Sequence, residues 1–175
     1  GFTLDTYKKK QNTQINRRHS IRFISFAVCF LLSVLLTGCG EDKELTQFKE
    51  AFENFCIEVS TLDTAINKID ASDENAEKEL LGYIDQLETE FEDLAQLNFP
   101  EEFKYLENLS DEASEYMKEA AKAYHTAYEG ETFAANYNDY AFENYKRAYR
   151  RIQIILAYLH GEDPKEAGLM ITYGE

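Results

Sequence analysis

The stretch LTQFKEAFENFCIEVSTLDTAINKI, residues 45–69, decides the fold. Its apolar positions Leu45, Phe48, Phe52, Phe55, Val59, Leu62, Ile66 and Ile69 follow one another in alternating steps of three and four, with no exception. That alternation averages about 3.5 residues, close to one helical turn, so these side chains line one side of a helix. A strand would need alternation every second residue, which is absent here. Such a helix owes its stability to burying the stripe against a neighbour.

The neighbours lie downstream. A second stripe, Leu80, Ile84, Leu87, Phe91, Leu94 and Leu97, follows a cap expected at Ser72 or Asp73. It ends at Asn98-Phe99-Pro100, since proline disfavours helix in the residue before it and suits the first turn of the next helix. A third stripe, Phe103, Leu106, Leu109, Ala113, Met117, Ala120, Tyr124 and Ala127, stops at Gly130. Ser110-Asp111-Glu112 offers an alternative cap that would kink this helix. The fourth carries Tyr145, Tyr149, Ile152, Ile155, Leu156 and Leu159 before Gly161 and Pro164.

Four amphipathic rods of about 25 to 29 residues, each about 40 Å long, can bury their stripes only against one another. The expected fold is all-α, a single up-down-up-down four-helix bundle over 44–161 with a C-terminal tail over 162–175, and the period near 3.5 implies a left-handed twist. The motif AFENF at Ala51–Phe55 recurs as AFENY at Ala141–Tyr145. The flanking residues do not match, which favours coincidence over duplication.

Before the bundle the chain changes character. Lys8, Lys9, Lys10, Arg17, Arg18 and Arg22 precede the apolar run FISFAVCFLLSVLL, Phe23–Leu36. The run is shorter than the roughly 20 residues a membrane-crossing helix needs, and matches the roughly 7 to 15 of a secretory signal. It closes in Leu36-Thr37-Gly38-Cys39 with no Ala-x-Ala site. This quartet resembles the lipobox of bacterial lipoproteins. The resemblance implies a signal peptide over 1–38, cleaved at a site where Leu36, Thr37 and Gly38 are recognised by the signal peptidase. Cys39 becomes the diacylglyceryl-modified N-terminus of a short tether over 39–43. Two acyl chains anchor a protein stably where one does so only marginally. The domain is therefore expected on the extracytoplasmic side of a bacterial cell membrane.

Charge restricts the partners. The chain carries −15 overall, and six of its 18 Lys and Arg but only one of its 33 Asp and Glu precede Cys39. The exported part is left at about −20. Nucleic acid is disfavoured as a partner, because its binding rests on neutralising phosphates. An anionic leaflet would repel the domain within a Debye length of about 8 Å. With Cys29 lost with the signal and Cys39 lipidated, Cys56 has no disulfide partner, and its place beside the apolar stripe suits a small buried hydrophobe.

Helical bundles often house metals or cofactors, which makes the donor inventory decisive. No Glu-x-x-His occurs, the di-iron signature of ferritin-like bundles, and no Cys-x-x-Cys-His for covalent haem. Counting back from the Gly130 turn sets His160 level with residue 105 or so, about 30 Å along the axis from His125, so the two cannot share a metal. No metal ligand set and no cofactor is assigned. Asp85, Glu88 and Glu92 fall on one helical face, within a run from Asp73 to Glu102 that holds eleven acids and the single base Lys78. A solvated acidic face explains it, since EF-hand spacing is lacking. The cluster Lys146, Arg147, Arg150 and Arg151 is expected to pair with Glu115 and Glu119 of the third helix. No nucleophile elbow, phosphate loop or Ser/His/Asp set is present, which argues against an enzyme.

One feature favours a partner. Tyr124, Tyr128, Phe133, Tyr137 and Tyr140 crowd around GETFAANYND between the third and fourth helices, at the end of an up-down bundle away from the anchor. Tyrosine is favoured at recognition surfaces because it joins a large ring to a polar tip. Two readings stand: Tyr128, Phe133, Tyr137 and Tyr140 bind a protein or envelope partner, or the rings close the bundle end. The expected function is a membrane-anchored helical interaction module. The alternative is a small metal or cofactor carrier using His125 or His160 with nearby acids.

Overall fold

The computed structural model describes residues 42–166, 168 and 169. The segment over 1–41, with Leu36, Thr37, Gly38 and Cys39, lies outside the described residues. These form an all-helical bundle: α1 Lys43–Asn67, α2 Ala76–Ala95, a 3-10 helix Glu101–Leu106, α3 Glu107–Tyr128 and α4 Ala135–Leu159. Each helix packs on the next in sequence, with the most extensive backbone contact between α3 and α4.

The eight-residue stripe forms α1 as expected. Phe48, Phe52, Phe55, Val59, Leu62 and Ile66 are buried, and the terminal Leu45 and Ile69 are partly so. Asp42 caps the helix by accepting from the Glu44 amide at 3.2 Å, satisfying one of the amides left over in a first turn. Neither Ser72 nor Asp73 caps α2. They fold the connection instead: Asp70 accepts from the Ser72 amide at 2.9 Å, Asp73 accepts from the Asn75 amide at 2.8 Å, and Asn75 precedes the first helical residue. Side chains of this kind compete for nearby amides and so build turns as readily as caps.

The helices are shorter than the expected 25 to 29 residues at two places, α2 with 20 and α3 with 22. After Pro100 the chain first makes a 3-10 helix, and α3 starts at Glu107. Ser110 lies inside α3 and its hydroxyl donates to the Glu107 carbonyl at 2.8 Å, so no fresh helix begins there. At the end of α4 the expected stop has a defined form. Gly161 adopts φ 70°, its amide donates to Tyr158 O at 3.0 Å, and Glu162 N donates to Ala157 O at 2.9 Å. This is a Schellman motif, which needs a left-handed residue at the glycine. Gly130 has no positive φ.

Two packing regimes share the core. Along α3 and α4, Ala113, Ala120, Ala121, Ala123, Ala127, Ala141 and Ala148 are buried, and small side chains let the helices approach closely. Between α1 and its neighbours the core is aromatic. Phe55 meets Phe91 edge-on at 5.2 Å, and Phe48 lies 4.8 Å from Phe99 and 6.1 Å from Phe103, centroid to centroid. Cys56 is buried among these residues as expected. The recurring motif does not repeat structurally. Phe52 and Phe55 are buried in the first copy, whereas Ala141, Asn144 and Tyr145 are buried in the second and Phe142 is half-exposed. The two copies face the core with different sides of the helix.

The ends of the bundle are thereby assigned. Asn98 donates to Glu44 at 3.4 Å, which sets the α2–α3 connection beside the start of α1. The α1–α2 and α3–α4 connections lie at the other end.

Candidate functional site

Polar and exposed aromatic chemistry concentrates in several places among the described residues. The first is inside the core. Tyr145 donates a short hydrogen bond to Asp63 Oδ1, Tyr149 donates to the same oxygen at 3.1 Å, and the two hydroxyls are 3.1 Å apart. The rings lie 4.7 Å apart, and all three residues are buried. Burial, then the Asp63 carboxyl and the Tyr149 hydroxyl, push the Tyr145 phenol well above its ordinary 10.0. Asp63 sits beside Leu62 on the edge of the α1 stripe, and Tyr145 and Tyr149 are one turn apart on α4. Residue spacing alone placed the tyrosines in the core but gave no sign that an acid from α1 would meet them.

The second place lies between α2 and α3. His125 Nε2 is 2.6 Å from Asp85 Oδ1, and Nδ1 is 3.0 Å from Glu129 Oε1. Both ring nitrogens can donate only in the imidazolium form. Partial burial lowers the His125 pKa, but the hydrogen bonds to Asp85 and Glu129 and their charges outweigh it, leaving a net rise above 6.5. A metal ligand needs a nitrogen lone pair with other donors converging on the same point. Here the carboxylates occupy opposite edges of the ring, so His125 bridges α2 at Asp85 and the C-terminal turn of α3 at Glu129. Around it an open groove of about 700 Å³ carries Asp85, Glu88, Glu119 and Glu129 against Lys118 and Lys122. Burial, followed by repulsion from Glu92 and Asp85, raises the Glu88 pKa. His160, the C-cap of α4, belongs to the other end of the bundle. Among the described residues no group of three or more His, Cys, Asp or Glu is placed to hold a metal ion.

The basic cluster is used within the bundle, and Arg151 pairs with Glu112 and not with the expected Glu115 or Glu119. Arg151 is 4% exposed, its Nε donates to Glu112 at 3.0 Å, and its guanidinium lies 4.5 Å over the Tyr116 ring. Arg147 approaches the same ring at 5.8 Å, and Lys146 pairs with Glu143 at 2.7 Å. α3 ends at Tyr128 and α4 begins at Ala135, so the turn is centred beyond Gly130 and Glu112 comes level with Arg151.

The third place is the far end, where the tyrosine cluster divides. Tyr124 and Tyr128 are buried, and Phe133 is half-buried with its ring edge-on to Tyr128 at 5.2 Å. Tyr137 and Tyr140 are 46% and 49% exposed on the first two turns of α4. Of the residues singled out for partner binding, Tyr128 therefore points inward as part of the seal, while Tyr137 and Tyr140 face solvent. Burial of the α3 stripe accounts for the division: Tyr124 and Tyr128 continue it in steps of four, and Tyr137 and Tyr140 fall off the α4 stripe. A second exposed pair escaped the sequence reading. Tyr105 on the 3-10 helix and Tyr158 on α4 are 60% and 40% exposed and meet edge-on at 5.6 Å, near the start of α1.

No described helix is long and apolar enough to cross a membrane. Compared with protein-family models, curated proteins and solved structures, the chain matches none.

Proposed function

We propose that this chain is a bacterial lipoprotein whose bundle acts as an interaction module on the extracytoplasmic side of the membrane, for a protein or envelope partner. Anchoring follows from the resemblance of Leu36-Thr37-Gly38-Cys39 to a lipobox behind a basic and then apolar leader. The partner reading is carried by one observation: Tyr137 and Tyr140, three residues apart on one face of α4, expose large rings at the end away from Asp42. Rings with a polar tip offer contact area at low conformational cost, which suits recognition.

Two experiments test this reading. Cys39→Ser should abolish labelling by a radioactive fatty acid and leave an uncleaved precursor; the normal mature mass in that variant would sink the anchor. A photo-crosslinking residue at position 137 or 140 should give a discrete adduct in intact cells. The same probe at exposed Asp93 on α2 should not. Equal adducts at both places would remove the tyrosines from the partner surface.

A further inference from the structure

We infer that the exposed pair Tyr105 and Tyr158 forms a foot that rests in the headgroup layer of the bilayer, an inference that depends on the lipid-anchor reading of Cys39. The pair lies at the anchor end of the bundle. Asn98, just before the 3-10 helix that carries Tyr105, donates to Glu44 on the first turn of α1, and the Phe48 ring packs on Phe99 and Phe103 from the same connection. Tyr158 approaches the end of α4 and meets Tyr105 edge-on. Distance along the chain keeps this end close to the anchor. Only three Cα steps separate Cys39 from Asp42, the α1 cap, and they span at most about 11 Å. A lipidated cysteine therefore keeps the start of α1 close to the membrane surface.

What faces the bilayer must then tolerate that layer. Around the pair Asp42, Glu44, Glu101 and Glu102 are exposed against the exposed bases Lys43 and Lys104, an excess of acid, and carboxylates gain nothing from leaving water there. Among the described residues Tyr105 and Tyr158 are the large exposed rings at this end, and tyrosine is enriched at membrane–water interfaces because its ring is apolar and its tip is wet. Rings that are 60% and 40% exposed contribute little to the core. Partial burial in headgroups would give them a use that packing does not. The acids around them make an uncharged, zwitterionic headgroup layer the surface of choice.

The chain contains no tryptophan, so one substitution installs a unique fluorescent reporter. Full-length protein carrying Tyr105→Trp, or Tyr137→Trp at the far end, is matured in cells, purified with its lipid and reconstituted into phosphatidylcholine vesicles with or without brominated acyl chains. The expected result is flotation with the vesicles, with brominated lipid removing part of the emission from position 105 and leaving position 137 unchanged. Flotation with position 105 unquenched, or with both positions quenched alike, overturns the foot while leaving the anchor standing. Failure to float overturns the anchor and the foot together. Tyr158→Trp should repeat the result for position 105, and full emission there in brominated vesicles would also overturn the pairing.

Discussion

Tyr145 on α4 donates its phenol hydrogen to Asp63 on α1, a bond made inside the core between residues 82 apart in the chain. Tyr149 adds a second donor to the same oxygen. The pair ties the first helix to the last where bulky phenylalanines, not alanines, fill the space around α1. Removing one of the two donors leaves the desolvation of a buried carboxylate less compensated, and hydrogen bonds to charged groups are worth more than those between neutral ones.

Tyr145→Phe should therefore lose about 1.5 to 3 kcal/mol in urea unfolding followed by circular dichroism. Replacing the set by apolar groups, Asp63→Leu with Tyr145→Phe and Tyr149→Phe, should recover much of that loss. A triple variant weaker than the single one would show that the polar cluster stabilises the bundle beyond its own desolvation.

The same phenol gives the bundle an alkaline limit. Its folded pKa lies above the ordinary 10.0, so its contribution is fully present below that value and is lost as pH climbs through the raised folded value. Melting temperature should fall steeply in that window, and Tyr145→Phe should flatten the fall. An unchanged slope in the variant would assign alkaline unfolding to other groups.

His125 supplies a second pH response nearer neutrality. Its folded pKa is raised above 6.5, so the α2–α3 bridge stabilises fully below that value and is lost as pH rises through the folded one. An imidazole NMR titration should place the midpoint above 6.5, and Asp85→Asn should bring it down. A midpoint that does not move in Asp85→Asn would show that the 2.6 Å contact is not formed in solution.

The α1 stripe can be probed at neighbouring positions. Phe52 is fully buried, and Phe52→Ala should cost about 3 to 5 kcal/mol. Glu53, partly exposed, should change stability by no more than about 0.5 kcal/mol when replaced by Ala. Similar losses at both would mean that the stripe is not the buried face.

At the far end the two halves of the tyrosine cluster should separate. Tyr128→Ser truncates a buried ring and should lower stability by about 3 to 5 kcal/mol, whereas Tyr137→Ser with Tyr140→Ser should melt as the parent does and lose the crosslinked adduct. Early melting of the double variant would return these rings to packing.

The sequence by itself determined the four stripes, their order and the all-helical bundle they require, because helical periodicity is a local property and an apolar stripe must be covered. Cys56 was placed in the core and His125 kept apart from His160 on the same grounds. Tertiary structure alone decided which polar groups meet. Asp63 reaches Tyr145, His125 reaches Asp85, and Arg151 chooses Glu112 over Glu115 or Glu119, because each of these contacts depends on the rotation and register of two helices. A shift of one or two residues in a turn changes that register and leaves the pattern of each stripe untouched. Tertiary structure also divided the tyrosines, turning Tyr124 and Tyr128 inward while leaving Tyr137, Tyr140, Tyr105 and Tyr158 in solvent. A ring's exposure is set by what packs beside it, which the spacing along one helix does not contain.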